Sequence, residues 1–394
     1  MFAFLRRARK SLTRFALAGS VVALAACDPG AFTLPGGSGQ RIDSGEPVQV
    51  ALLVPAGSAT DGDNIVAQSL ENAARLAVAD LGNANIDLRV YPTGGDANQA
   101  AIAATNAVND GAKIILGPLY AQNAAAAGVA AAKKNVNVLA FSNNTAVAGG
   151  NVFVLGPTFQ NTANRLASYA ASRGKSAAVV VHGQSPAEEI GADAIARAMA
   201  NVGGTVVATE SFEMSQQGIV QATKSIANTV KNSGANALFL ASGNDGALPF
   251  LAQLLPENGA GPDRIQWLGL QRWDIPASAV TLPGLQGGWF AVPDRAMAAN
   301  FSQRYNSTYG QPPLPTAGLA YDGIAAIGAL IQSGDPDALT TTGLTRASGF
   351  AGVNGIFRLL PDGTNERGLS IATIQNNQVI EIDPAPRRFG GAGF

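Results

Sequence analysis

Short runs rich in β-branched residues alternate with alanine-rich segments of helical periodicity over most of this 394-residue chain. The first run is Val48–Val54, and apolar or small residues recur at helical spacing after it, from Ile65 to Ala77. Strands separated by helices of this length predict right-handed βαβ units in a parallel sheet. The series starts again after Val152–Leu155, so the alternation predicts an α/β fold of two lobes, each a mainly parallel sheet flanked by helices.

The pattern changes toward the end of the chain. A strand candidate at Trp289–Val292 precedes two helical segments, one around Phe301 and one that runs from Leu319 to Leu330. The β-rich runs that follow are separated by turn residues and predict an antiparallel meander; they are Gly355–Leu360, Leu369–Ile374 and Val379–Ile382.

The N-terminus combines a basic start with an apolar run, Phe15–Ala26, that ends at the only cysteine, Cys27. This run is shorter than the roughly 18–20 residues that a membrane-spanning helix needs, so residues 1–26 are predicted to be a cleavable lipoprotein signal peptide. A single cysteine has no partner for an intrachain disulfide, and we therefore expect Cys27 to be lipidated. The alternative is an ordinary export signal with a cysteine near its end by chance.

Residues 27–46 are rich in Pro, Gly and Ser and predict a flexible tether, and residues 387–394 predict a tail. The expected location is the periplasm, with the protein lipid-anchored to a bacterial membrane. Asp28 favours the inner membrane, because an aspartate after the lipidated cysteine resembles the retention signal of enteric lipoproteins. The net charge of −1 gives no electrostatic reason to expect a nucleic-acid partner.

The residue inventory argues against catalysis. His182 is the only histidine, it ends an apolar strand, and Cys27 is the only cysteine. Serine or cysteine hydrolysis needs a base beside the nucleophile, and a structural zinc site needs a cluster of His, Cys or carboxylate ligands. No glycine-rich phosphate loop of standard spacing occurs. We therefore expect no enzyme activity, no catalytic residues, no metal and no cofactor.

Several motifs occur in an order that carries a family resemblance: Val50–Pro55, Ile115–Leu119, Phe153–Pro157, Ala235–Leu240, Gln271–Trp273, Gly287–Ala291, Ala320–Asp322 and Phe357–Gly363. With these motifs the chain resembles the type I periplasmic binding proteins of the leucine/isoleucine/valine group. Within that group it is especially similar to the lipoproteins called penicillin-binding protein activators. The resemblance covers residues 47–389.

The resemblance implies a two-lobed clamp whose chain crosses the hinge three times, with a ligand or partner between the lobes. Lobe 1 is then expected to comprise residues 47–156 plus 288–352, and lobe 2 residues 157–287 plus 353–386.

Ligands of open parallel sheets bind beyond the carboxyl ends of the strands. Ten residues in or just after such strands are therefore candidate ligand contacts: Ser58, Tyr120, Gln122, Ser142, Asn143, Thr145, His182, Asp245, Gln271 and Trp273. The competing interpretation is structural, because Ser, Asn and Asp in these positions commonly cap helices and form turns.

The residues by which the family's amino-acid binders hold their ligand are only partly present. Gly117-Pro118 is kept, but Tyr120-Ala121-Gln122 stands where the resemblance implies a serine. Ser142 is kept, whereas Asn143 replaces a proline, and Asp245 lies one residue from the implied acidic position. The fold motifs are thus intact and the amino-acid clamp is not.

We therefore expect a non-enzymatic envelope lipoprotein that binds a small polar, amino-acid-like ligand between its lobes, similar to the substrate-binding subunits of ABC amino-acid transporters. The alternative is a penicillin-binding protein activator that regulates peptidoglycan synthesis through protein–protein contact. The expected partners are an unidentified small polar ligand, an ABC permease or a peptidoglycan synthase, and a membrane through the lipid anchor.

Overall fold

The first part of the fold is a five-stranded parallel sheet with helices on both faces. The structure is a computed structural model and describes residues 38–82 and 84–390. The strands lie in the order β2-β1-β3-β4-β5; their bounds are β1 Val48–Val54, β2 Ile86–Pro92, β3 Ile114–Leu116, β4 Asn137–Ala140 and β5 Val152–Val154. Three helices connect them: α1 Asp61–Leu81, α2 Ala97–Asn109 and α3 Ala121–Ala132.

The second part repeats this arrangement around a larger sheet. Its first elements are α4 Phe159–Ser172, β6 Ala177–Gly183, α5 Pro186–Asn201, β7 Thr205–Phe212, α6 Gln216–Asn232, β8 Ala237–Leu240, α7 Leu248–Glu257, β9 Gln266–Gly269 and β10 Trp289–Val292. The chain then leaves this sheet and forms α8 Arg295–Tyr309, α9 Ala317–Gln332, α10 Thr341–Leu344, β11 Phe350–Gly352, β12 Gly355–Leu359 and β13 Asn365–Arg367. It returns as β14 Ser370–Gln375 and β15 Gln378–Asp383, which complete the order β15-β14-β10-β9-β8-β6-β7.

Strand β1 shows why these runs form parallel sheets. All seven of its residues are buried. Val50, Leu52 and Val54 pack in a cluster with α1 and α9, whereas Ala51 and Leu53 pack on the opposite face with α2 and α3. A strand that is covered by helices on both faces has no polar side, which explains the continuous apolar run in the sequence.

The observed sheets confirm the predicted fold class. The chain passes from the first sheet to the second between β5 and α4, returns to the first lobe between β10 and α8, and enters the second sheet again between β13 and β14. Helices α8 and α9 belong to the first lobe, because Phe301, Tyr305 and Ile324 pack in the same cluster as Leu52. The three hinge crossings that the resemblance implied are therefore present.

Two expected boundaries need correction. Trp289–Val292 was expected in lobe 1, but it pairs with β9 and with β14 in the second sheet. Strand β12 was expected in a meander of lobe 2, but Phe357 and Leu359 pack in the first-lobe core. It pairs with β11 and β13 in a separate three-stranded sheet, and only β14 and β15 form the antiparallel edge of the large sheet. Turn spacing predicts local hairpins, whereas the choice of sheet depends on contacts distant in sequence.

The predicted tether is also shorter than expected. Ile42 is buried in the first-lobe core, and its backbone N–H donates to the oxygen of Pro336 at 2.9 Å. Residues 38–46 are therefore part of the fold. At the other end, Arg387 of the predicted tail lies 3.2 Å from the carboxylate of Asp294. The signal peptide, Cys27, Asp28 and the final four residues lie outside the described part of the chain.

Buried polar side chains join the first and third crossings. Asn365 on β13 donates through Nδ2 to the backbone oxygens of Val154 and Gly156, at 2.8 and 2.9 Å. Arg367 on the same strand donates through Nε to the oxygen of Leu155 at 3.0 Å and lies 3.2 Å from the carboxylate of Asp322. These bonds join the two crossing segments: β13, which precedes the third crossing, is attached to residues 154–156 at the first crossing.

Candidate functional site

The carboxyl edge of the first sheet carries two of the predicted ligand residues side by side. A Cβ at Gly95 would lie 3.5 Å from Ser58 Oγ and 3.7 Å from the Tyr120 ring. The Tyr120 hydroxyl donates to the carboxylate of Asp63 in the first turn of α1. This hydrogen bond, together with partial burial and the charge of Asp63, raises the pKa of Tyr120 to about 12. Tyr120 therefore stays a neutral donor at physiological pH.

The carboxyl edge of the second sheet is organised by Glu188. Its Oε2 accepts the backbone N–H of Gly183 at 2.5 Å and the hydroxyl of Ser242 at 2.7 Å. Gly183 ends β6 and Ser242 follows β8, so this buried carboxylate links the ends of two neighbouring strands. Glu188 lies in the first turn of α5, where the helix dipole favours a negative charge, and Ser185 caps the same helix.

Two further candidates meet around Gly243. A Cβ at this position would lie 2.5 Å from Gln271 Oε1 and 2.8 Å from Asp245 Oδ1. Gln271 is fixed by a hydrogen bond from its Nε2 to the oxygen of Ala241 at 3.0 Å, whereas Asp245 is exposed. The structure thus places these two side chains together at the second-lobe edge.

A cavity of about 250 Å³ has walls from both lobes. The loop after β4 provides Asn143 and Thr145, and the second lobe provides residues of α4 and α5 that include Phe159, Ile190 and Arg197. Larger depressions of about 610, 660 and 790 Å³ lie elsewhere, but none of these three includes the loops that follow β1, β3 or β4. We take the interlobe cavity as the candidate site because a two-lobed fold can close around it.

Arg197 is the only ionisable residue in the lining of this cavity. Its Nε donates to Gln160 Oε1 at 3.0 Å, and Gln160 Nε2 in turn donates to Asn164 Oδ1 at 2.7 Å. In the described part of the chain no carboxylate lies within 4 Å of the Arg197 guanidinium. The site therefore combines a positioned, uncompensated cation with two apolar side chains, Phe159 and Ile190.

Trp273 does not line the cleft, contrary to expectation. Its side chain is completely buried and stacks on Phe290 with a centroid distance of 5.8 Å. The ring fills the space above two glycines, since a Cβ at Gly269 would lie 2.3 Å from it and one at Gly288 2.2 Å. The loop position in the sequence indicated exposure, but the missing side chains of these glycines create an internal space for the ring.

The remaining candidates are dispersed. His182 is half-buried and its Nδ1 lies 3.0 Å from the backbone oxygen of Gly183. Ser142 is buried and accepts the backbone N–H of Asn144 at 3.1 Å, which is a turn contact. Gln122 is exposed in the first turn of α3.

Sequence reasoning missed Asp63, Gln160 and Arg197. All three lie on helices rather than in the loops after strands. Arg197 is three turns into α5, so its place in the cavity depends on the packing of α5 beside the loop after β4. A sequence signal does exist, because Ala187, Ile190, Ala194 and Arg197 recur at helical spacing and share one face.

Within residues 38–82 and 84–390, no helix is both long and apolar enough to cross a membrane. The same residues contain no group of three or more His, Cys, Asp or Glu side chains arranged to hold a metal ion.

The fold and the interlobe cavity define a two-lobed binding protein. The family model described as periplasmic binding protein matches residues 47–378. The chain therefore belongs to the periplasmic binding protein family, and the resemblance to its type I members is confirmed. No curated protein matches the chain.

Three solved structures with the same fold are each between 17% and 19% identical to this chain. One is assigned to a branched-chain amino acid ABC transporter of Rhodospirillum rubrum, with 19% identity, a TM-score of 0.72, and coverage of 85% of this chain and 99% of that one. An ABC transporter substrate-binding protein from Desulfitobacterium hafniense, in complex with Leu, has 17% identity, a TM-score of 0.63, and coverage of 85% and 99%.

A third structure is a solute-binding protein of an ABC transporter from Rhodopseudomonas palustris BisB5, in complex with 3,4-dihydroxybenzoic acid. It has 17% identity, a TM-score of 0.58, and coverage of 86% and 98%. At these identities the likeness establishes the fold.

Proposed function

We propose that this protein is a periplasmic solute-binding protein that takes up a small organic acid between its lobes and presents it to an ABC permease. The single observation that carries the proposal is the interlobe cavity of about 250 Å³, in which Arg197 is the only charged side chain. The protein acts by binding, as its family does, and not by catalysis. The predicted ligand class, amino-acid-like molecules, is thereby narrowed to small molecules that carry a carboxylate.

The chemistry of the lining supports a carboxylate. A guanidinium presents paired N–H donors that match the two oxygens of a carboxylate, and such charge-assisted bonds are stronger than neutral ones. Phe159 and Ile190 supply an apolar surface for the rest of the ligand. The lining contains no carboxylate that could bind an ammonium group. Leucine and 3,4-dihydroxybenzoic acid, the ligands of two proteins with this fold, both carry a carboxyl group.

A thermal-shift and calorimetry panel tests the proposal. Aromatic and branched aliphatic monocarboxylates should stabilise the protein, because a ligand at 100 times its Kd adds about 2.7 kcal/mol to the free energy of unfolding. The corresponding neutral alcohols and amides should have little effect. Arg197→Ala should weaken the binding of acids about tenfold or more, which corresponds to at least about 1.4 kcal/mol.

Arg173→Ala is a suitable control, because Arg173 also lies on the second lobe but contacts the Tyr169 ring instead of the cavity. It should leave the affinity unchanged. A panel in which no acid binds, or in which Arg197→Ala binds every acid as tightly as the unaltered protein, would contradict the proposal.

The N-terminal sequence supports attachment to a membrane through Cys27, and the family supports a periplasmic location. Cys27→Ser should move the protein from the membrane fraction to the soluble periplasmic fraction. The mass of the purified full chain should show acylation only when Cys27 is present. Recovery of Cys27→Ser in the membrane fraction would contradict the anchor. Asp28 supports the inner membrane as its location.

The activator function stays as the second candidate, supported by the lipoprotein signal and by the incomplete amino-acid clamp around Tyr120 and Asn143. It predicts that the protein binds a bifunctional peptidoglycan synthase and changes its polymerisation rate. A pull-down and a polymerisation assay with the synthases of the source organism distinguish the two functions. No binding and no change in rate would remove this candidate.

A further inference from the structure

The residues that follow the predicted anchor are fastened to one end of the first lobe. We define the arm as Ser38–Gly45. The Ser38 hydroxyl donates to Asn137 Oδ1 at 2.6 Å, and Asn137 Nδ2 donates back to the Ser38 backbone oxygen at 3.1 Å. The same oxygen accepts the backbone N–H of Thr341 at 2.7 Å. Asn137 is completely buried, so these bonds are shielded from water.

The next residues continue the attachment. Asn135 donates through Nδ2 to the oxygen of Gly39 at 2.8 Å, and the N–H of Gly39 donates to Asn135 Oδ1 at 3.2 Å. Gly39 has a φ of +116° and approaches Leu339 so closely that a Cβ would lie 2.5 Å from its oxygen. Only glycine fits a position with both constraints. Ile42 then enters the core of the lobe.

All arm contacts that involve the first sheet lie at its amino-terminal edge. Asn137 is the first residue of β4, and Asn85, which donates to the oxygen of Gly45 at 3.3 Å, precedes β2. Because the strands are parallel, their carboxyl ends lie at the opposite edge, where Ser58, Tyr120 and the cavity loop are found. The seven residues of β1 span about 23 Å between the two edges.

We propose that the arm orients the membrane-anchored protein, with the amino-terminal edge of the first lobe toward the anchoring membrane and the ligand cavity away from it. This inference rests on the lipid anchor of the proposed function. Ten residues lie between Cys27 and Ser38, so the backbone that joins them can extend at most about 36–40 Å. The amino-terminal edge of the first lobe must therefore stay within this distance of the membrane, whereas the cavity edge has no such restraint.

The orientation specifies where a partner of the cavity edge must lie. A protein that contacts the loops after β1, β3 and β4 must extend from the membrane by more than the height of the first lobe, or it must reside beyond the membrane surface. The lipid surface itself faces the arm and the starts of β2, β3 and β4.

Energy transfer from labelled full-length protein to an acceptor on lipid headgroups tests this orientation. Lipidation occupies the only native thiol, so a single introduced cysteine can be labelled. Lys133→Cys places the label at the amino-terminal edge before β4, and Ala59→Cys places it in the loop after β1; both positions are exposed. In phospholipid vesicles, transfer from position 133 should exceed transfer from position 59 at least about twofold, given the separation of about 23 Å.

Insertion of a 40-residue Gly/Ser segment after Gly37 is the matched control, and it should make transfer from the two positions equal. Equal transfer without the insertion would overturn the orientation alone. A difference that persists with the insertion would overturn the role of the arm and linker. Absence of transfer from both positions, as expected for Cys27→Ala, would overturn the anchor and the orientation together.

Discussion

The hinge and the interlobe cavity each contain an arginine, but the two arginines have opposite environments. Arg367 at the hinge is 6% exposed and contacts a carboxylate, a backbone oxygen and the face of Phe357. Arg197 at the cavity is exposed and makes one side-chain hydrogen bond, to Gln160. A buried, paired arginine has little capacity left for a ligand, whereas an exposed and positioned one has its terminal N–H groups available.

This comparison separates structural polar residues from functional candidates. Burial raises the pKa of Asp322, and the nearby Arg367 opposes that shift. The Asp322 carboxylate therefore depends on Arg367 for its compensating charge in the interior. The local sequence does not distinguish the two arginines, because their partners are distant along the chain: Asp322 lies 45 positions from Arg367, and Gln160 lies 37 positions from Arg197.

The largest expected effect is at the hinge. Arg367→Ala should lower the free energy of unfolding by about 3–5 kcal/mol, because it leaves Asp322 buried without its cation. Urea denaturation followed by circular dichroism measures this change. Arg358→Ala is the matched control: Arg358 pairs with Glu366 near the surface and should cost no more than about 1 kcal/mol. Equal losses for both variants would contradict the distinction between a buried arginine and a partly exposed one.

A second hinge substitution should have an intermediate effect. Asn365→Ala removes the donor to Val154 and Gly156 and should cost about 1–2 kcal/mol. The loss of stability is limited because Asn365 Oδ1 is buried without a hydrogen-bond partner, and the substitution removes this unfavourable group as well. Asn98→Ala, at an exposed position in the first turn of α2, should stay within about 0.5 kcal/mol of the unaltered protein. If Asn365→Ala left the free energy of unfolding unchanged, other contacts would have to hold the crossings together.

At the cavity, we expect an effect on binding without an effect on stability. Gln160→Ala should weaken the affinity for organic acids about threefold to tenfold, because it releases the Arg197 guanidinium from its orientation. If Gln160 acts by positioning Arg197, the double variant Gln160→Ala/Arg197→Ala should bind organic acids no more weakly than Arg197→Ala alone. Calorimetric titration of the four proteins gives the coupling energy. Additive losses would show that Gln160 contacts the ligand independently.

The smallest expected effect concerns the exposed pair Tyr120 and Asp63. The pKa of Tyr120 is raised to about 12, chiefly by the hydrogen bond to Asp63. Its contribution to stability is therefore complete below the unfolded value of about 10 and is lost as the pH rises toward 12. Asp63→Asn should lower the pKa toward 10, as measured by ultraviolet absorbance, with Tyr120→Phe identifying the signal. An unchanged titration would show that partial burial alone sets the pKa.

Local periodicity predicted most of the secondary structure. The bounds Val48–Val54 and Trp289–Val292 agree with the structure, because short apolar runs that contain β-branched and aromatic residues favour strands. The candidate site was predicted less well. Asn143 and Thr145 do line the cavity, but Trp273 is internal and Arg197 was not anticipated. Exposure at a site depends on neighbours from distant elements, and spacing along the chain carries no information about them.

The sequence by itself determined the α/β class and the two lobes, since both follow from the order and composition of contiguous segments. Tertiary structure decided which sheet accepts β10, where Ser38 attaches, and which arginine faces the cavity. These choices are made by packing between residues as far as 303 positions apart, such as Ser38 and Thr341. Such contacts depend on shape complementarity and hydrogen bonding in the folded chain, so they cannot be predicted from local sequence patterns.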